Sequence, residues 1–237
     1  ENRPQSSRWY PGAGLYRKVR HITLPQVHIP VWGTYITTPH IEKDHATVNI
    51  KTKVEGVENG SVITVRTKII DIEDMNVIAL STETRPLFKG EIEQNITVSS
   101  PQLWSPETPT LYFAETEVYT GGSVDTDWNM ERPQISIRHG EDLQDKVSTR
   151  FGFRTIEVRP DEGFLLNGQV RKFRGVCLHH DLGPLGAAIS KAAIRRQLTI
   201  LKDMGCDAIR TSHNMPAEEL IELCDEMGFM VMCENFD

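Results

Sequence analysis

At 237 residues the chain is long enough to bury one large core or two smaller ones, and 38% hydrophobic with 25% charged residues is an ordinary globular composition. A formal net charge of −7 favours neither nucleic acid nor an anionic membrane as partner. No apolar run approaches the roughly 20 residues that span a bilayer, and the opening ENRPQSSRWYPG has no signal-peptide pattern. Because the first residue is Glu1 rather than Met, the chain reads as a piece of a longer protein.

From residue 16 to about 158 the hydrophobic period is two. Ala46, Val48, Ile50, Thr52 and Val54 share one face, opposite Thr47, Asn49, Lys51 and Lys53, as a strand with one wet side requires. Ile63, Val65, Thr67 and Ile69 repeat the device against Thr64, Arg66 and Lys68. Further strands are predicted near 33–39, 76–84, 88–98, 111–119 and 146–158, between clusters of Gly, Asn, Asp, Pro and Ser. That spacing predicts a two-sheet sandwich of roughly 100 to 130 residues. The polar stretch 120–145 is expected to be a long, mobile hairpin loop.

After about residue 160 the period lengthens. Ile194, Leu198, Leu201 and Met204 form one face of a predicted helix that Ser190 caps and Gly205 ends. Leu220, Leu223, Cys224 and Met227 do the same for a second helix, opened by Pro216 with two carboxylates in the first turn and stopped at Gly228. Around them lie the apolar runs KFRGVCLHH, CDAIRTSH and FMVMCEN, so the order is strand, helix, strand, helix, strand. This implies parallel strands buried on both faces, in an open doubly wound sheet or a (β/α)8 barrel. No phosphate-cradling glycine motif follows any strand, which removes the main support for the phosphate-binding versions of the open sheet. The four cysteines, Cys177, Cys206, Cys224 and Cys233, lack C-x-x-C spacing and read as buried free thiols.

Polar residues gather at the predicted carboxyl ends of these strands, where α/β folds place their sites. His179 and His180 are adjacent, so on a strand they point to opposite faces and only one reaches a shared pocket. This argues against a metal centre built from His179, His180, Asp181 and His213, and leaves loop histidines or a polar ligand pocket. Arg210 must find carboxylates or carbonyls if buried, either as a structural pair with an acid from another strand or to orient a catalytic carboxylate. Ser212 and Thr211 have no G-x-S-x-G elbow around them, so a serine nucleophile has no support. Glu234 and Asp237 follow the third strand and either face the same pocket or are solvated.

The segments SSRWYPGAGLYRKV (6–19), LWSPETPTLY (103–112), RFGFRTIEV (150–158), FLLNGQVRKFRGVCLHHDLGPLGAA (164–188) and RRQLTILKDMGCDAIRTSHNMPAEELIELCDEMGFMVM (195–232) resemble successive landmarks of glycoside hydrolase family two. Within it the chain is most similar to bacterial β-galactosidases, with β-glucuronidases and β-mannosidases as the relatives to exclude. The resemblance implies the last strand of a jelly-roll sugar-binding domain over 1–24, an immunoglobulin-like β-sandwich over 25–153, and the start of a (β/α)8 TIM barrel over 154–237. A complete barrel takes about 250 residues, so two βα units and a third strand are expected here.

The family's reaction is retaining hydrolysis of a β-glycoside by two glutamates about 5–5.5 Å apart, one as acid and base and the other as nucleophile. The acid/base lies in an Asn–Glu pair, and this sequence contains no such dipeptide. Both catalytic carboxylates are therefore expected beyond Asp237, leaving this piece inactive alone. By resemblance His179 and His213 match histidines that reach the sugar, and Arg210 an arginine that holds the nucleophile. Asn214 stands where many relatives have tyrosine, with His180, Asp181 and Glu234 behind. Cys233 departs from the usual Asp–Glu pair. The resemblance implies no cofactor in this chain, room for a divalent cation in the parent enzyme, and a β-galactoside or related carbohydrate as ligand. No nucleic-acid or membrane partner is expected, whereas a homo-oligomer and a soluble location in bacterial cytoplasm or periplasm are compatible. The alternative from another class is a non-catalytic sandwich or interaction module.

Overall fold

The computed structural model describes residue 15, residues 17–127 and residues 134–235. They form two compact units, one from 22–102 with 111–153, the other from the described part of 1–21 with 103–110 and 154–237. Most of the jelly-roll strand expected over 1–24 lies outside the described residues, and residues 17–24 carry no strand or helix.

In the first unit β1 (Thr34–Ile41), β2 (His45–Lys53), β3 (Val62–Asp71), β4 (Val77–Pro86), β5 (Glu91–Ser99), β6 (Tyr112–Thr120) and β9 (Asp142–Phe151) make two antiparallel sheets, ordered β1-β2-β5 and β4-β3-β6-β9. The alternation seen in sequence is the alternation of burial. Ala46, Val48 and Ile50 on one sheet and Ile63, Val65 and Ile69 on the other are fully buried. Each buried valine or isoleucine among them contributes on the order of 1.5–3 kcal/mol. One polar link runs through this core. Gln94, 1% exposed on β5, accepts a hydrogen bond from Thr67 Oγ1 at 2.6 Å and donates to the Val65 carbonyl at 3.2 Å, both on β3 of the opposite sheet.

The stretch 120–145 is more ordered than a loop. β7 (Ser123–Asp127) and β8 (Gln134–Arg138) pair antiparallel within it, and β9 begins at Asp142. Ile135 and Ile137 alternate with Gln134, Ser136 and Arg138, yet every residue of β8 is exposed, so this alternation marks no buried face. The strand predicted over 146–158 is in fact two, β9 and β10 (Ile156–Arg159), separated where the chain passes from one unit to the other.

The second unit opens with a small antiparallel sheet of β10, β11 (Gly163–Leu166) and β12 (Gln169–Val170). Asn167–Gly168 makes its two-residue turn, with φ of 52° and 75°, the hairpin dipeptide whose side chains tolerate the left-handed region. Then come β13 (Gly175–Leu178), α1 (Lys191–Asp203), β14 (Ala208–Thr211), α2 (Glu218–Met227) and β15 (Met230–Met232), the strands parallel in the order β13-β14-β15. Ser190 Oγ accepts from the Ala193 amide and caps α1. α2 starts two residues after Pro216, with Ala217 as its cap, and ends at Gly228 in the left-handed region, φ 74°. Met204 lies just past α1 and is exposed, off the face it was assigned to.

Both helices share one core of Ile194, Leu198, Leu201, Leu223, Cys224 and Phe229, so both crossovers lie on the same side of the sheet. Burial on both faces is therefore not observed: Cys177 and Met232 on the other face are exposed. The cysteines divide accordingly. Cys206 and Cys224 are buried, and burial pushes the Cys224 thiol up to about 12, whereas Cys177 and Cys233 are exposed. No helix among the described residues is long and apolar enough to cross a membrane.

Segment 103–110 belongs to this unit although it lies between β5 and β6. Trp104, 3% exposed, donates Nε1–H to the Asp225 carbonyl at 2.9 Å, and the Arg154 guanidinium stacks 5.0 Å from its ring. Lys202 Nζ donates to the Pro106 carbonyl at 2.8 Å, and Arg171 forks onto Glu107 at 2.7 and 3.0 Å. Gly228 has no room for a side chain, because a Cβ there would stand 2.4 Å from the Pro106 oxygen.

Candidate functional site

Parallel pairing sets Cys177 beside Arg210 and Arg210 beside Met232, so the residues following β13, β14 and β15 emerge at one edge. Three polar groups come out together there: His179-His180-Asp181, Ser212-His213-Asn214 and Cys233-Glu234. Glu234 is where they converge. One carboxylate oxygen forms an ion pair with Arg210, and the other lies 3.0 Å from His213 Nδ1. Its own amide donates to Thr211 Oγ1 at 3.0 Å, tying the end of β15 to the end of β14. The His179 ring meets that of His213 edge to face, 5.6 Å between centroids.

His179, Arg210, His213 and Glu234 thus stand together at the strand ends. Arg210 leaves 40% of its side chain exposed on the sheet face that the helices do not cover. The acid from another strand that an arginine here requires is Glu234. His180, Asp181 and Asn214 also line a cavity of about 40 Å³ that reaches α1 and α2, room for a few waters and not for a sugar. Burial there, with Arg17 nearby, holds the His180 imidazole below its usual value. Asp181 Oδ1 accepts the Gly183 amide at 2.7 Å, which shapes the turn leading to a short 3-10 helix over Gly183–Leu185.

Cys177, a core thiol by its sequence context, is exposed and belongs to the constellation. Arg210 Nη1 lies 3.6 Å from its sulfur, and the Ser212 hydroxyl together with that guanidinium lowers the thiol below its usual range. The signal was register: in parallel pairing with β14, Cys177 is the partner of Arg210.

Among the described residues, the group with three donor atoms within 4.8 Å, close enough for one metal ion, is Glu42, Asp44 and His45 in the β1–β2 turn. Asp44 already engages His45 Nδ1 at 2.9 Å, which raises the imidazole and lowers the carboxyl. His179, His180, Asp181 and His213 form no such group.

The family described as glycosyl hydrolases family 2, TIM barrel domain, matches residues 156–236, and its companion, glycosyl hydrolases family 2, matches residues 27–130. This chain belongs to glycosyl hydrolase family 2. The family 2 barrel match contains every rim residue named above. Among family 2 relatives, the β-galactosidase BoGH2A of Bacteroides ovatus is 41% identical over 98% of this chain and 25% of its own length. A putative β-glucuronidase of Formosa agariphila is 34% identical over 98% of the chain and 20% of its own. The crystal structure of a family 2 member from Bacteroides cellulosilyticus superposes with a TM-score of 0.80 at 30% identity, covering 96% of this chain and 29% of that one. The chain therefore spans a quarter or less of the length of the first two relatives, at 25% and 20%.

Proposed function

We propose that the chain is part of a retaining exo-β-glycosidase that hydrolyses terminal β-galactosides. The observation that carries this reading is the Arg210–Glu234–His213 cluster, with His179 against it, at the carboxyl end of parallel strands in a family 2 barrel. Imidazoles suit neutral sugar hydroxyls, and the exposed guanidinium is placed to steer a carboxylate arriving from another strand. The bond-breaking groups in this scheme are two further glutamates, one acting as acid and then base, the other forming the glycosyl-enzyme intermediate. Galactoside is preferred because the 41% identical relative is a β-galactosidase. A second reading, a β-glucuronidase, is favoured by the 34% identical relative.

The test uses aryl β-galactoside and aryl β-glucuronide side by side. A protein carrying this chain with a complete barrel is expected to turn over the galactoside, and the 237-residue chain alone neither. Preference for the glucuronide selects the second reading. Turnover by the isolated chain would mean that its own carboxylates do the chemistry.

A further inference from the structure

We infer that Glu234 is a positioning residue that locks His213 in its Nδ1–H tautomer, so that this histidine meets a ligand at Nε2 as a hydrogen-bond acceptor. One carboxylate oxygen of Glu234 is held by Arg210, and the other lies 3.0 Å from His213 Nδ1. An ionised carboxylate only accepts hydrogen bonds, so the proton of this contact sits on Nδ1. A neutral imidazole with Nδ1–H carries its lone pair on Nε2, and the bond made by one ring nitrogen decides the state of the other. Nε2 has no hydrogen-bond partner among the described residues, and a third of the side chain, 34%, is exposed.

Glu234 is itself held. Its amide donates to Thr211 Oγ1 at 3.0 Å, and its second oxygen is occupied by a guanidinium whose Nη1 also reaches Cys177 Sγ at 3.6 Å. The carboxylate therefore has little freedom to rotate away from the imidazole. The histidine offers a fixed acceptor to a hydroxyl that donates, and Arg210 beside it offers donors only. Which hydroxyl it receives rests on the glycosidase reading, whereas the tautomer does not.

The test is a long-range proton–nitrogen correlation spectrum of the imidazole rings in the 237-residue chain at neutral pH, for the wild type and Glu234→Ala. In the wild type, His213 is expected to show a protonated-type Nδ1 and an unprotonated Nε2. In Glu234→Ala the two nitrogens are expected to exchange character, towards the Nε2–H form. A wild-type His213 carrying its proton on Nε2 overturns the inference, and so does a variant that keeps Nδ1–H. The wild-type spectrum decides the first point even where the variant fails to fold. No sugar enters the measurement, so an enzyme that ignores galactosides leaves the tautomer result standing, and the reverse holds equally.

Discussion

The two units solve the problem of a sheet's second face in different ways. In the sandwich each sheet turns its apolar side to the other, so β5 buries Ile92, Gln94, Ile96 and Val98 while Glu93, Asn95 and Thr97 stay wet. In the barrel unit both helices cover one side of β13-β14-β15, and the other side presents an exposed thiol, a guanidinium and a methionine. A closed sandwich core has no reason to hold titratable groups, since burying them costs more than they return. Cys177 and Arg210 lie on the uncovered side of β13-β14-β15, and the candidate site stands at the carboxyl edge of that sheet.

Three measurements sharpen or break this contrast, and hydrogen exchange reads each unit separately. The largest effect is expected from Trp104→Ala, which empties a slot inside the barrel unit and removes the Asp225 contact. Aromatic-to-alanine changes cost about 3–5 kcal/mol, and the loss of protection should fall on the amides of β14 and α1. Equal loss in β3 and β6 would show that the units unfold as one.

Next is Gln94→Ala, which leaves Thr67 Oγ1 without its Gln94 acceptor inside the sandwich. Because Thr67 keeps Thr116 as a partner at 3.2 Å, the cost should sit near the lower end of about 1–3 kcal/mol. Denaturant titration should record it in the sandwich strands, and an undiminished midpoint there would deny the inter-sheet link any energetic role.

The smallest effect concerns pH. The Arg171 fork holds the Glu107 carboxyl well below its ordinary value of 4.5, at about 2. A depressed carboxyl contributes stability that is fully present above its unfolded pKa and disappears as pH falls through the folded one. Stability of the barrel unit should therefore decline between about pH 4.5 and 2 in the wild type and decline less in Glu107→Gln. Glu107 is 64% exposed, so solvent screening limits the difference to about 1 kcal/mol or less. Parallel pH curves for the two proteins would remove the fork from the account.

How legible each part was follows from burial. The inward faces of β2 and β3 are visible in sequence because half-buried strands alternate residue by residue. The β7–β8 hairpin is harder to see, because none of its residues is fully buried and the short alternation of β8 stands inside a polar stretch. For the site, the strand-end residues stood out as polar side chains after apolar runs. Their grouping did not: that Glu234 is the partner of both Arg210 and His213 depends on the parallel register of β14 and β15, a tertiary fact. Cys177 reads as buried for a related reason, since an apolar parallel strand looks alike whether or not its second face is covered.

The placement of residues 103–110 has a practical sequel. Chain membership switches at 21/22, 102/103, 110/111 and 153/154, so neither unit is one continuous stretch of polypeptide. A truncation that begins at Arg154 would discard Trp104, Pro106 and Glu107, leaving Lys202 with the Gly228 carbonyl and Arg171 with Asp207 but neither with its partner from 103–110. Cutting the barrel portion out of this chain therefore requires carrying an eight-residue segment, Leu103–Thr110, from far upstream, and a piece begun at residue 154 would have a tryptophan-shaped hole.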